Sequence, residues 1–244
     1  MVRVKGDLLY EGKAKKLYAV PGRPLEVWVE YKDSLTAFNA QKTGSFAGKG
    51  RINARITSLL YKKISEAGIP THIVEDLGDI NMICRRVAII PLEVVTRNRL
   101  AGSTAKKLGK EEGTALSEPL VEFYYKDDAL GDPFLSDDQA LMMKAVESRG
   151  DLETLKKEAL RVNGVLQAEF KRAGLELVDF KLEFGRDEKG RIVLADEVSP
   201  DTCRLWDMKT GEKFDKDRFR RDLGRVEESY AEVLKRLERG SENA

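Results

Sequence analysis

A strand of strictly alternating residues, followed by a turn and a second strand, is the feature that most constrains the fold of this chain. The chain reads LVDFKLEFG from Leu177, and successive side chains of a strand point to opposite faces. The polar stretch Gly185–Gly190 predicts a turn, and the aliphatic run Ile192–Ala195 predicts a returning strand. The predicted hairpin has an apolar face with Val178, Phe180, Leu182 and Phe184, and a charged face with Asp179, Lys181 and Glu183.

The charged face of this hairpin is a candidate site for a divalent cation and a phosphate chain. Strand pairing can bring Asp196, at the end of the returning strand, near Glu183, with Lys181 and Asp179 along the same face. Hard cations prefer oxygen ligands, and an ammonium group neutralises further phosphate charge. The alternative is a solvated strand face of alternating charge, which is common on antiparallel sheets.

Composition narrows the class of protein. The 244 residues suffice for one large domain or two modest lobes. Lys plus Arg (43) nearly equals Asp plus Glu (42), so no overall basic charge favours nucleic acid over small anionic ligands. Cys84 and Cys203 are too few for a disulfide scaffold, and no apolar run is long enough to span a bilayer. We therefore expect a cytoplasmic protein that acts on small molecules, without nucleic-acid or membrane partners.

The order of the predicted elements favours an α+β fold rather than a parallel doubly wound sheet. Short strands around EGKAK at Glu11–Lys15, and one helix from about Asn53 to Ala67, predict a small antiparallel sheet in the N-terminal third. The sequence pattern changes at Val87–Pro91, and we place the lobe boundary there. We expect lobes at 1–88 and 89–240 and a disordered tail at 241–244.

Three helices are predicted in the second lobe. Ser136 with Gln139 matches a capping box for a helix that ends near residue 147, and a longer helix is predicted over 151–173. Asp215 is a candidate cap for a single last helix. The apolar stripe of that helix would be Phe219, Leu223, Val226, Tyr230, Val233 and Leu237.

Two stretches carry basic groups that could bind phosphate. In Ile89–Ser103 a predicted strand ends in Arg97 and Arg99 and a helix opens at once; helix starts favour anions, and a guanidinium matches two phosphate oxygens. The Gly12–Lys15 turn combines a close backbone approach with two lysines. An ordinary strand-to-helix turn and a basic hairpin turn are the respective alternatives.

The run SPDTCRLWD and the histidine content complete the candidate chemistry. Arg204 in this run either returns towards the carboxylate face or forms a structural pair with Asp201 or Asp207. His72 is the single histidine and stands beside Pro70 at the start of a predicted strand, which disfavours histidine-dependent catalytic triads and multi-histidine metal sites. No histidine is placed to activate Cys203.

Together these motifs resemble those of the phosphoribosylaminoimidazole-succinocarboxamide synthase (SAICAR synthetase) family, ATP-dependent ligases of purine biosynthesis. The resemblance runs from Glu11–Lys15 to DKDRFR at Asp215–Arg220, and Ile89–Ser103 and Leu177–Gly185 each match a family signature in full. It implies a kinase-like, ATP-grasp-like two-lobed fold. An antiparallel β N-terminal lobe and an α+β C-terminal lobe would hold ATP in the cleft between them.

The resemblance also implies roles for individual residues. Lys181 is the implied catalytic residue, and Asp179 or Asp201 is a candidate for the general base. Arg97, Ser103 and Arg204 would hold the phosphate of the ribonucleotide substrate. Glu183 and Asp196 would bind Mg²⁺. The implied ATP contacts are Gly12, Lys13, Ala14, Lys15, Val87, Ala88, Ile89, Glu183 and Asp196.

The implied reaction joins the carboxylate of 5-amino-1-(5-phosphoribosyl)imidazole-4-carboxylate to the amine of L-aspartate, while ATP becomes ADP and phosphate. A homo-oligomer is the expected assembly. Asn39 stands where many family members have Asp, which leaves the contribution of the loop Asp33–Gly50 open. Another phosphoryl-transfer enzyme and an RNA-binding module are the competing functions. The missing HRD and DFG motifs disfavour the first, and the neutral net charge disfavours the second.

Overall fold

The fold is described from a computed structural model that covers residues 3–38 and 40–242; Asn39 lies outside them. The strands are β1 (Leu8–Glu11), β2 (Lys15–Ala19), β3 (Glu26–Tyr31), β4 (Ser34–Ala37), β5 (Lys42–Ser45), β6 (Ile73–Gly78), β7 (Asn81–Arg85), β8 (Ala88–Arg99), β9 (Ala115–Tyr125), β10 (Phe134–Leu135), β11 (Leu175–Arg186), β12 (Ile192–Ala195) and β13 (Cys203–Asp207). The helices are α1 (Lys49–Glu66), α2 (Gly102–Lys107), α3 (Asp137–Met142), α4 (Arg149–Arg172), α5 (Asp217–Arg220) and α6 (Val226–Glu242).

Two antiparallel sheets form the framework of the molecule. The first has the strand order β1-β2-β3-β7-β6, and the second has the order β10-β9-β8-β11-β12 with β13 also paired to β11. Strands β4 and β5 form a separate hairpin. The first sheet ends at Arg85 and the second begins at Ala88, beside the predicted lobe boundary. The predicted α+β class is confirmed.

Helix α1 contacts β3 and β6 of the first sheet and also packs against α4 and α6, so it joins the core of the second lobe. Ile56, Leu60 and Ile64, spaced four residues apart, are buried in one cluster with apolar residues of β8, β11 and α4. A stripe of this spacing lies on one helix face and must be buried against a neighbouring element. Helix α1 begins at Lys49, four residues before the predicted start at Asn53.

Strand β11 is the centre of the second sheet and contains a bulge that the sequence pattern did not predict. It pairs with β8 on one side and with β12 and β13 on the other. Its register shifts between Leu177 and Asp179, and both Leu177 and Phe180 face the core. Because a bulge adds one residue to one strand, the alternation is interrupted. Val178 is buried but lies outside the main core cluster, so the prediction that it shares a face with Phe180 was wrong.

The C-terminal helices differ from the prediction in three places. The capping box at Ser136 is confirmed, but α3 ends at Met142 rather than near 147. The single last helix is in fact two, α5 and α6, because Asp222, Gly224 and Arg225 between them adopt left-handed backbone. Asp215 therefore accepts a hydrogen bond at the start of α5, not of α6. Helix α6 extends to Glu242, into the segment predicted to be a disordered tail, of which 243–244 lie outside the described residues.

None of the helices in the described part of the chain has the length and apolar character needed to cross a bilayer.

Candidate active site

The β11–β12 hairpin brings Glu183 beside Asp196, as the sequence predicts. Glu183 pairs with Ala195 on β12, and Asp196 follows at once with left-handed backbone, φ 61°. On its other side Glu183 is opposite Glu93 of β8. Three carboxylates from three strand segments therefore meet on one patch of the sheet.

Lys181 lies among these carboxylates. Its Nζ is 2.9 Å from Glu93 Oε1 and 3.0 Å from Glu183 Oε1, and Lys126 Nζ is 3.3 Å from the same Glu183 oxygen. Burial by itself would lower the pKa of Lys181, but the attraction of Glu183, Glu93 and Asp196 outweighs it and raises that pKa well above the ordinary value. Lys181 is therefore a fixed positive charge within the patch.

Lys15 connects the first sheet to this patch, whereas Lys13 does not. Lys15 Nζ forms an ion pair with Asp196 and lies 2.9 Å from Glu197 Oε1. Lys13 is 43% exposed and pairs with Asp128 at 2.6 Å, at the rim of the site. Of the two lysines predicted from the Gly12–Lys15 turn, one is thus inside the carboxylate patch and the other is at its edge.

Asp196 is held in place by a buried tyrosine and by lysines. Tyr61 donates its hydroxyl hydrogen to the carbonyl oxygen of Ala195 at 2.6 Å, which fixes the end of β12. Burial alone would raise the pKa of Asp196, but the attraction of Lys15 and Lys181 dominates and lowers it. The Asp196 carboxylate is therefore ionised.

Glu183 and Asp196 fit a magnesium ion by the chemistry of their oxygens. Across 3–38 and 40–242, no group of three or more His, Cys, Asp or Glu side chains is arranged to hold a metal. Magnesium is commonly bound by one or two carboxylates, with phosphate oxygens and waters completing its shell. The pair therefore suits an ion that arrives with a phosphate ligand.

The segment 87–89 crosses β11 unusually closely at Gly185. A Cβ added to Gly185 would lie 2.5 Å from Val87 Cγ2 and 3.1 Å from the carbonyl oxygen of Ala88. Only glycine allows this approach. Ile89, paired with Gly185, is 43% exposed and leaves an apolar surface beside the carboxylate patch.

Asp179 forms ion pairs with two arginines, four residues along β11 from Glu183 of the carboxylate patch. Arg97 Nη1 donates to Asp179 Oδ2 at 2.6 Å, and Arg204 Nη1 donates to the same oxygen at 2.8 Å. Strand register causes this, since Asp179 pairs with Arg97 on β8 and with Arg204 on β13. We call Arg97, Asp179 and Arg204 the arginine clamp. Of the two alternatives for Arg204, the structural pair with Asp201 or Asp207 does not form; Arg204 pairs with Asp179 on the charged face of β11 and with Asp217.

The start of α2 lies against this clamp. A Cβ on Gly102, whose φ is +59°, would be 2.6 Å from Arg204 Nη2. The glycine therefore lets the guanidinium approach the first turn of the helix. Ser103 follows it and is exposed. The structure thus brings Arg97, Arg204 and Ser103 to one region, the grouping that the family resemblance implies.

The sequence of the chain matches the family model described as SAICAR synthetase over residues 8–237. The chain belongs to the SAICAR synthetase family. It is 54% identical over 233 residues to the phosphoribosylaminoimidazole-succinocarboxamide synthase of Wolinella succinogenes, covering 96% of this chain and 98% of that protein. The resemblance stated from the motifs is confirmed.

Solved structures of SAICAR synthetase family members share the fold. The crystal structure of the Ehrlichia chaffeensis synthase aligns with a TM-score of 0.91 at 43% identity, over 95% of this chain and 98% of that one. A SAICAR synthetase in complex with ADP aligns with a TM-score of 0.90 at 44% identity, over 93% of this chain and 96% of that one.

Asp201, a candidate general base, has several partners in this SAICAR synthetase family member. Its Oδ2 is 2.5 Å from Lys49 Nζ and accepts from Asn53 at 3.0 Å, while its Oδ1 accepts from the Tyr230 hydroxyl at 2.8 Å. Burial opposes ionisation of Asp201, but Lys49 and Lys216 lower its pKa. A carboxylate so neutralised and hydrogen-bonded is a weak base.

Four residues of the site were missed from the sequence. Glu197 directly follows the predicted Asp196 but pairs with the distant Lys15, and the other three come from segments outside the β11–β12 hairpin. Glu93 stands in the Ile89–Ser103 signature, and Lys126 stands in the charged run after β9. Pairing β8 with β11 in the correct register would have found Glu93. The four are Glu93, Lys126, Glu197 and Asp217.

Proposed function

We propose that the chain is an ATP-dependent ligase that joins the carboxylate of 5-amino-1-(5-phosphoribosyl)imidazole-4-carboxylate to the amine of L-aspartate, giving the succinocarboxamide ribonucleotide, ADP and phosphate. One observation carries this proposal: strand β11 holds a lysine–carboxylate patch at Lys181 and Glu183 and an arginine clamp at Asp179. Membership of the SAICAR synthetase family, and a similar family member solved with ADP, support it.

The lysine–carboxylate patch suits the activation of a carboxylate by ATP. A carboxylate is a poor electrophile, and its oxygens and the γ-phosphate repel each other. Lys15 and Lys181 are fixed cations that screen this repulsion in a partly buried site, where such screening is strongest. Mg²⁺ bound by Glu183 and Asp196 would neutralise further phosphate charge.

Two further segments suit the phosphates and the adenine of ATP: the Gly12–Lys15 turn and the main chain at 87–89. The Gly12–Lys15 turn lies at the edge of the patch, where backbone N–H groups and Lys13 can face phosphates. The exposed side chain of Ile89 and the main chain of Val87 and Ala88 offer an apolar surface and hydrogen-bonding groups to the adenine.

The arginine clamp suits the monophosphate of the ribonucleotide. Asp179 and Glu183 are four residues apart, which is about 13 Å of strand, so the clamp and the patch can hold opposite ends of one nucleotide. Asp179 orients the two guanidinium groups, with Ser103 beside them. We therefore assign a positioning role to Asp179. Asp201, neutralised by Lys49, is also assigned a positioning role, and Lys181 remains the catalytic residue.

An assay with all substrates tests the proposed function. The protein is mixed with ATP, magnesium, aspartate and the ribonucleotide, and both ADP and the amide product are measured. Equal amounts of ADP and amide are expected. ADP release that needs the ribonucleotide but not aspartate, with no amide, would indicate a different phosphoryl-transfer enzyme and overturn the proposal. RNA retention that falls steeply with salt, without turnover, would indicate an RNA-binding module.

Arg97→Lys should raise the KM for the ribonucleotide by about 10- to 100-fold with little change in the KM for ATP. Arg97 has five N–H donors, of which Glu122, Asp179 and Tyr124 take one each, so two Nη hydrogens remain for a phosphate. A lysine ammonium cannot form this fork while keeping the three internal bonds. Steady-state kinetics check it, with Arg191→Lys, in the β11–β12 turn, as the control. An unchanged ribonucleotide KM would refute the assignment.

We also propose that the protein is a cytoplasmic homo-oligomer. Both cysteines, Cys84 and Cys203, are buried free thiols, which suits a reducing compartment. Strand β1 is at the edge of the first sheet and exposes Leu8, Leu9 and Tyr10, a surface that an identical chain could cover. Light scattering after gel filtration should give a mass at a multiple of 27.5 kDa, and Leu9→Lys should lower it. A monomer at micromolar concentration would contradict this.

A further inference from the structure

Asp215 is a fully buried carboxylate without a cationic partner. Its side chain is 0% exposed, and within the described residues it forms no ion pair. Its Oδ2 accepts the backbone N–H of Leu205 at 2.8 Å, and its Oδ1 accepts the backbone N–H of Asp217 at 2.7 Å. Burying a carboxylate without an opposite charge costs free energy, which these two hydrogen bonds only partly offset.

These two hydrogen bonds connect β13 to the start of α5. Leu205 directly follows Arg204 of the arginine clamp, and Asp217 accepts from Arg204 Nε at 3.0 Å and from Arg220 Nη1 at 2.6 Å. Asp215 therefore fixes the distance between Arg204 and the carboxylate that orients it. We call this link from Leu205 through Asp215 to Asp217 the aspartate brace.

The aspartate brace is strongest when the side chain of Asp215 is ionised. The two N–H groups approach different oxygens, so both oxygens must be acceptors. A carboxylate offers acceptors on both sides, whereas a protonated carboxyl or an amide presents a donor on one side. An amide would leave one of the two buried N–H groups without an acceptor, and a protonated carboxyl would offer it only the weaker lone pair of a hydroxyl oxygen.

We propose that Asp215 is a positioning residue for the binding of the ribonucleotide phosphate: its ionised carboxylate holds Asp217 against Arg204, and its protonation loosens the arginine clamp. The inference rests on the proposed function, since it assumes that the clamp holds this phosphate. Asp215 touches no substrate and acts only through Asp217 and Arg204.

The surroundings of Asp215 place its titration near neutral pH. Burial, and then the repulsion of Asp217, raise the pKa of Asp215 to about 7, while Arg204 acts in the opposite direction. The other titratable groups that face it are Cys203 on β13 and Tyr230 on α6, and burial raises the pKa of each, so both are neutral. Below about pH 7 the brace is therefore protonated, and the affinity for the ribonucleotide should fall.

The Asp215→Asn variant imitates the protonated brace. A purely structural role of Asp215 would give the same KM difference from the wild type at every pH, whereas the proposed role gives a difference that depends on pH. At pH 8 the variant should have a KM for the ribonucleotide about tenfold above that of the wild type, with the KM for ATP unchanged. At pH 6 the two ribonucleotide KM values should converge. The second ionisation of the substrate phosphate, near pH 6, affects both enzymes and cancels in the ratio.

Asp207→Asn is the matched control. Asp207 ends the same strand and accepts the backbone N–H groups of Lys209 and Thr210, but it has no link to Arg204. It should leave the ribonucleotide KM unchanged at both pH values. Asp217→Asn should raise the ribonucleotide KM as Asp215→Asn does. Because the two residues act in series, the fold-increase in the double variant should be smaller than the product of the two single fold-increases.

Three outcomes would overturn the inference: a KM ratio that does not vary with pH, the same KM change in Asp207→Asn, or full additivity with Asp217→Asn. If Asp215→Asn does not fold, the ribonucleotide KM of Asp217→Asn is divided by that of the wild type at each pH from 6 to 8. A ratio that stays constant over this range refutes the brace. Absence of amide formation by the wild type would defeat the proposed function. Amide formation with a constant ratio would defeat this inference alone.

Discussion

Replacing Lys181 with alanine should lower the kcat for amide formation by about 10³-fold and leave the fold intact. Lys181 is the fixed cation between Glu93 and Glu183, and its charge also acts on Asp196. A preorganised charge of this kind, in a site shielded from water, typically contributes about 10²–10³-fold or more to the rate. Its loss would also take the paired cation from Glu93 and leave Glu183 with Lys126 alone, so both carboxylates would repel an incoming phosphate chain more strongly.

The fold should survive because the neighbours of Lys181 in the sequence supply the packing. Phe180 and Leu182 point to the opposite face and are buried in the main core, and neither is altered. Quenched-flow or steady-state measurement of the amide, with a thermal melt of each protein, checks both parts. Lys189→Ala, an exposed lysine in the turn of the same hairpin, is the control and should behave as the wild type. Wild-type turnover in Lys181→Ala would remove Lys181 from the catalytic role.

The β11–β12 hairpin shows what the sequence could predict. The alternation and the short turn determine a local antiparallel pairing, so Glu183 beside Asp196 follows from residues less than 20 positions apart. The α1 and α4 stripes follow in the same way from helical spacing. In these elements a local periodic pattern predicted both the element and the face that is buried, whereas it failed at Val178 and for the last helix, where a bulge and a break interrupt the period.

The partners contributed by distant segments could not be predicted in that way. Glu93 reaches Lys181 through the register of β8 against β11, 88 residues apart in sequence. The bulge at Leu177–Asp179 and the break at 221–225 depend on which neighbouring strands and helices must be joined, and local propensity does not encode that choice. For this reason the helix that Asp215 was expected to cap proved to be α5.

The Lys49–Asp201 ion pair is the clearest example of partners contributed by distant segments. Lys49 lies in the first turn of α1 with its side chain 1% exposed, and Asp201 lies in the turn before β13. Lys49→Met should lower the free energy of unfolding by about 3 kcal/mol, because it leaves the buried carboxylate with only the more distant Lys216, at 4.0 Å, as its cation. Lys63→Met removes a lysine of the same helix that pairs with Glu66 at the surface, and should change stability by less than about 1 kcal/mol.

The double variant Lys49→Met/Asp201→Asn decides what Asp201 does. If the carboxylate serves the fold, removing it together with its cation should recover part of the lost stability, because the unpaired buried charge is gone. Amide formation should then return with the folded fraction, since Tyr230 and Asn53 can still bond to the amide. Urea unfolding and kcat measured on the four proteins of the cycle give both quantities. If the double variant is stable but has lost its turnover, Asp201 is the general base after all, since its removal then affects the chemistry and not the packing.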